Sequence, residues 1–90
     1  MPISDLLPAS AHHRLKRYVF TINNWSEAEQ THVRALASEV KYLVWGREVG
    51  DSGTPHLQGF VIFNSSTRFR AAKQAIGQRA WLGLARGTNP

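Results

Sequence analysis

Six short segments order this 90-residue chain as strand, helix, strand, strand, helix, strand, and that order restricts the fold more than any other feature. "KRYVFTINN", from Lys16 to Asn24, is β-branched and aromatic and ends on the turn-forming pair Asn23-Asn24. "SEAE", from Ser26 to Glu29, places a serine three residues before a glutamate, which is a capping box at a helix start. Val33, Leu36, Ala37 and Val40 then recur at helical spacing, so the helix is expected to yield near Lys41. "KYLVWGRE" reads as a second strand, "VGDSGTP" as a hairpin loop, and the stretch through "PHLQGFVIF" as the returning strand. "NSST" supplies another N-cap, Ser66 or Thr67, and Phe69, Ala72 and Ile76 mark the buried side of a second helix. Gly77 stands where a C-cap glycine belongs, and "RAWLGLAR" is a last short strand.

This order predicts an α+β domain: an antiparallel sheet of four to five strands in β-α-β-β-α-β order, with both helices on one face. The other face is left bare for a ligand. Residues 1–13 lack periodicity and read as a flexible N-terminal arm, which leaves 14–90 for the folded domain. With no cysteine, disulfides and thiolate metal sites are excluded, and so is a zinc finger. No apolar run suggests a membrane span, and "MPISDLLPAS" lacks the features of a signal peptide, so a soluble intracellular domain is expected.

The formal net charge of +5 favours a polyanionic partner. Its distribution sharpens the point. All six acids (Asp5, Glu27, Glu29, Glu39, Glu48, Asp51) precede position 52, and beyond it come Arg68, Arg70, Lys73, Arg79 and Arg86. A solvated basic surface would look the same, so composition suggests nucleic acid without establishing it.

Pairing the second and third strands as a hairpin with Glu48 opposite His56 sets Gly46 against Gln58, Val44 against Phe60 and Tyr42 against Ile62. Glu48, His56 and Gln58 then share one face, with Cβ separations of roughly 5 to 8 Å. Gly46 leaves room above the pleat. A carboxylate, an imidazole and an amide carbonyl suit Mn²⁺ or Mg²⁺ better than structural zinc. Taken alone, His-x-Gln on a strand reads equally as a hydrogen-bonded surface pair, and both readings stay open at this point.

Two segments together resemble the replication initiators (Rep proteins) of circular single-stranded DNA viruses, the circovirus-like ones above all. "VFTINNW" is similar to that family's first motif, and "TPHLQGF" to its second, the His-hydrophobe-Gln variant of the HUH endonuclease signature. "YLVWGREVGDSGTPHLQGFVIF" resembles the family's metal-binding hairpin, and "RAWLGLARGTNP" the strand before its third motif. The resemblance implies that Glu48, His56 and Gln58 hold Mn²⁺ or Mg²⁺ against a scissile phosphate. It implies that Asn23 and Asn24 contact DNA near the nick, whereas Phe20 and Ile22 read as core. Arg17, Arg68, Arg70, Lys73 and Arg86 are the basic candidates for DNA contact.

The family cuts with a tyrosine in Tyr-x-x-Lys, staying joined to the 5′ end before passing it on. No Tyr-x-x-Lys occurs here, so the nucleophile is expected beyond Pro90 and the chain alone is expected to bind metal and DNA without nicking. The resemblance further implies single-stranded and origin stem-loop DNA as partners, action in a host nucleus, and self-association of a longer protein through a downstream helicase domain. The competing reading is a non-catalytic single-stranded nucleic-acid binder of the RNA recognition type. It shares the element order and would use Phe60 to stack a base, but gives Glu48, His56 and Gln58 no role.

Overall fold

The computed structural model describes residues 7–85; Arg86 and the first six residues of the expected arm lie outside them. The elements follow the expected order: β1 (Arg14–Asn23), α1 (Glu27–Leu36), β2 (Tyr42–Val49), β3 (Pro55–Arg68), α2 (Phe69–Ile76) and β4 (Trp81–Leu84). The strands form one antiparallel sheet in the order β2-β3-β1-β4. The two central strands, β1 and β3, therefore connect every part of the site to the core.

Alternation along the central strands decides which face is covered. Tyr18, Phe20 and Ile22 of β1 and Leu57 and Val61 of β3 are fully buried. They form one cluster with Val33 and Leu36 of α1, Ala72 and Ile76 of α2, and Leu82 of β4. Both helices thus pack on the same face of the sheet. Gly59 of β3 belongs to this face and lies opposite Phe20. A Cβ there would run into the Phe20 ring and stand 2.7 Å from the Val44 carbonyl oxygen, so only glycine lets the ring lie flat on the strand.

Local signals hold at several ends. The Ser26 hydroxyl accepts from the Glu29 amide at 3.1 Å while the Glu29 carboxylate accepts from the Ser26 amide at 2.9 Å, which completes the capping box. Gly77 caps α2 with φ of 150°, a conformation that disfavours any side chain. The hairpin loop closes through Gly50 N–H to Thr54 O at 3.0 Å and Gly53 N–H to Gly50 O at 2.8 Å.

Three expectations need correction. The N-cap of α2 is Arg68, with no side-chain cap, rather than Ser66 or Thr67. Pairing of Leu15 with Thr67 and Arg14 with Arg68 keeps β3 extended past "NSST", so cross-strand hydrogen bonds override the capping tendency. α1 stops at Leu36, leaving Ala37 exposed as the C-cap and Val40 half-buried outside the helix. There Ser38 donates to the Ala35 carbonyl through both its amide (3.4 Å) and its hydroxyl (3.1 Å), a local bond that competes with the next helical turn. Within the segment read as an arm, Ala9 N–H donates to Leu82 O and Leu84 N–H to Leu7 O, both at 2.8 Å. Residues 7–9 thereby cover the outer edge of β4, an edge that would otherwise expose unpaired backbone.

Candidate metal and nucleic-acid site

The bare face is built in rows set by strand register. Across β2, β3 and β1 the first row is Glu48, His56, Asn23 and the second is Gly46, Gln58, Thr21, with Trp81 of β4 opposite Thr21. The third is Val44, Phe60, Val19, and the fourth Tyr42, Ile62, Arg17. The hairpin register matches the sequence reading at every pair named there. Glu48 and His56 are direct cross-strand neighbours, and Gln58 lies one row along on the same face.

The histidine is held from β1. His56 Nδ1 lies 2.6 Å from Asn23 Oδ1, and an amide oxygen only accepts, so Nδ1 carries the proton. In a ring carrying that one proton, the other nitrogen, Nε2, has the lone pair. Gly50 faces that nitrogen: a Cβ at position 50 would stand 2.7 Å from Nε2. A Cβ at Gly46, by contrast, would meet nothing within 4 Å, so the space beside Gln58 is open.

The donor set fits a hard divalent cation. One carboxylate, one neutral imidazole nitrogen and one amide oxygen, beside open space, would leave coordination positions for water or phosphate oxygen. No three His, Cys, Asp or Glu side chains group around a metal position among the described residues; the row contributes two of these types, Glu48 and His56, beside the amide of Gln58.

The turn after β1 is fixed by a residue from the other end of the chain. Arg79 donates through Nε and Nη2 to the two Glu29 carboxylate oxygens, both at 2.8 Å. Its Nη2 also reaches the carbonyls of Asn23 at 3.0 Å and Asn24 at 3.3 Å. Asn24 adopts φ of 51°, the left-handed turn conformation that asparagine tolerates well. The Arg79 guanidinium, helped by the Ser26 amide, pulls the Glu29 carboxyl down to about 2. This pair is half in water, so salt screens it.

The basic candidates divide. Arg17 is on the bare face, and its Nε is buried without a hydrogen-bond partner among the described residues, as is Thr21 Oγ1 in the same strand. Arg68, Arg70 and Lys73 line a different place, a surface cavity of about 500 Å³ shared with Ala11, Phe69 and Gln78. It lies at the opposite end of β3 from His56, and Lys73 there donates to the Ala80 carbonyl at 2.5 Å. Tyr18 cannot serve as a surface nucleophile: it is fully buried, its hydroxyl donates to Thr67 O at 2.6 Å, and burial raises its pKa. Tyr42 is exposed on the bare face, edge-on to Phe60 at 6.1 Å.

Residues 15–90 match the model of a family of viral replication proteins. The chain belongs to that family. Among its viral replication protein relatives, it is 42% identical over 67 residues to the replication-associated protein of canary circovirus, covering 73% of this chain and 23% of that one. It is 37% identical over 84 residues to the replication-associated protein of beak and feather disease virus, covering 92% and 29%. With that of porcine circovirus 1 the figures are 43% over 76 residues, 82% and 24%. The chain therefore spans about a quarter of the length of these relatives.

Sequence reasoning missed Arg79 and Gly50. Arg79 counted only as one of the basic residues after position 52, although the Glu29 of the capping box is its partner. Nothing in a turn-rich "VGDSGTP" distinguishes Gly50, whose role depends on where the His56 ring lies.

Proposed function

We propose that this chain is the metal- and DNA-binding part of an endonuclease and strand transferase that nicks a viral origin to start rolling-circle replication. The observation that carries the reading is the placement of Glu48, His56 and Gln58 on one bare sheet face, with Asn23 bonded to His56. Membership in the viral replication protein family supports it.

In this reading Glu48, His56 and Gln58 hold Mn²⁺ or Mg²⁺. When bound, the ion polarises the scissile phosphate and neutralises charge that develops on its oxygens. The chain's own residues do the rest. Asn23 and His56 set the geometry of the ligand row, Gly46 leaves room for the phosphate, and Arg17 offers a cation at the far row of the same face. Asn24 and the unpaired side of Asn23 contact the strand near the nick. Arg68, Arg70 and Lys73 take the backbone of a flanking duplex, such as an origin stem-loop, at the opposite end of β3. Arg86, outside the described residues, is a further basic candidate for DNA contact. The tyrosine nucleophile comes from outside these 90 residues, because Tyr18 is buried and neither Tyr18 nor Tyr42 stands in a Tyr-x-x-Lys sequence. Action in a host nucleus and self-association through a helicase domain belong to the same proposal for the longer protein.

The exposed Tyr42 and Val44 beside the half-buried Phe60 on this face would also let bases stack, as in a binder of the RNA recognition type. Fluorescence anisotropy separates the two readings. A labelled single-stranded DNA and the RNA of the same sequence are each titrated with the chain, with Mn²⁺ and with EDTA. The endonuclease reading expects tighter binding to DNA, and tighter still with Mn²⁺. Preference for RNA, indifferent to Mn²⁺, would overturn it in favour of the RNA binder.

A further inference from the structure

We infer that Asn23 is the positioning residue for His56, and that Arg79 holds Asn23 in place from beneath the turn. This rests on the metal reading above and adds to it the means by which the ligand histidine is aimed.

The proton on an imidazole goes to whichever nitrogen has the better acceptor, and the other nitrogen is left to ligate. Asn23 Oδ1 at 2.6 Å from Nδ1 is that acceptor, so Nε2 becomes the ligating atom. A metal-binding histidine commonly gives its second N–H to a carbonyl or carboxylate, which fixes both ring orientation and tautomer. Here the partner comes from the neighbouring strand, directly opposite in register. That bond takes one lone pair of the Asn23 oxygen, and the Asn23 amide N–H₂ is the part that can donate to a DNA phosphate.

Asn23 is the last residue of β1, where a strand end would fray. Three contacts prevent this. Arg79 grips the Asn23 and Asn24 carbonyls, and the Asn24 amide donates to Pro55 O at 2.8 Å. Arg79 is itself aimed by two bonds to Glu29, whose carboxylate is fixed at the helix start by the Ser26 amide. A line of contacts thus runs from the α1 capping box through Arg79 and Asn23 to His56. It joins the loop before β4, the β1–α1 turn and the head of β3, segments distant in sequence.

The test reads the tautomer directly, in metal-free protein, by long-range proton–nitrogen NMR of ¹⁵N-labelled chain at pH 8. Wild type should carry the His56 proton on Nδ1. Asn23→Ala should move it to Nε2, while Asn23→Asp, whose carboxylate accepts the same proton, should keep it on Nδ1. Arg79→Ala should give a mixture of the two. Mn²⁺ affinity should fall about 10- to 100-fold in Asn23→Ala and much less in Asn23→Asp, the scale for a lost partner behind a metal ligand. The amide spectrum reports whether each variant is folded. An unchanged Nδ1–H in Asn23→Ala, or an Asn23→Asp that behaves like the alanine variant, overturns the inference. A wild type whose tautomer depends on Asn23 but which binds no Mn²⁺ supports the positioning and removes the metal reading instead.

Discussion

The two faces of the sheet are made from alternate residues of the same strands, yet they differ in what they tolerate. On β1, Tyr18, Phe20 and Ile22 face the helices and are fully buried. Alternating with them on the bare face are Arg17, Val19, Thr21 and Asn23, and two of these, Arg17 and Thr21, carry buried polar atoms that lack a partner among the described residues. The covered face is mainly apolar among the described residues; the Tyr18 hydroxyl there is bonded to Thr67 O, and buried Gln30 accepts from Arg47. Unsatisfied polar atoms are costly when buried; among the described residues two of the three lie on the bare face, and the third, Trp25 Nε1, lies beside the core. The comparison teaches that substitutions on the two faces should separate stability from binding.

Breaking the covered face should give the largest effects. Phe20→Ala should cost about 3–5 kcal/mol, read from the urea midpoint, because it empties the centre of a close-packed core. Gly59→Ala should follow at about 1–3 kcal/mol, since the added methyl displaces the Phe20 ring and crowds the Val44 carbonyl. A Gly59→Ala protein as stable as wild type would show that the ring can move aside freely.

Substitutions on the bare face should do the reverse. Gly46→Val adds a side chain in open space, so the urea midpoint should report a change within about 0.5 kcal/mol. It should weaken Mn²⁺ binding by filling the space beside Gln58. Gly50→Ala sharpens the comparison further, because the three atoms nearest its methyl all belong to the His56 ring. It should displace Nε2 and reduce Mn²⁺ affinity with little change in stability.

The smallest effect lies in acid. The Glu29 carboxyl is lowered from its ordinary 4.5 to about 2 by Arg79 and Ser26. Its contribution is therefore complete above about pH 4.5 and is lost as pH falls toward 2. Urea midpoints of wild type and Glu29→Gln should converge over that interval and differ most at neutral pH. Added salt should narrow the difference, because the pair is partly exposed.

Much of this was legible in the sequence because the informative signals were local. A Gly- and Asp-rich loop between two strands marked the hairpin, and the register supposed for it, Glu48 opposite His56, is the one the strands adopt. The capping box marked the start of α1, and Gly77 the end of α2. What escaped was long-range. "NSST" reads as a helix cap until Arg14 and Leu15, some fifty residues earlier, hold it extended. Residues 7–9 carry no strand pattern, and only their neighbour β4 gives them one. Arg79 joins Glu29 and Asn23 across 50 and 56 residues, bonds that no spacing rule anticipates.

The central claim is that the bare face holds a divalent cation through Glu48, His56 and Gln58. Calorimetric titration of Mn²⁺ into the wild-type chain and into His56→Ala, both shown folded by circular dichroism, tests it most directly. The account predicts one saturable Mn²⁺ site in the wild type and its loss in His56→Ala. A folded wild type that binds no Mn²⁺, or a His56→Ala variant that binds it equally well, would contradict the account.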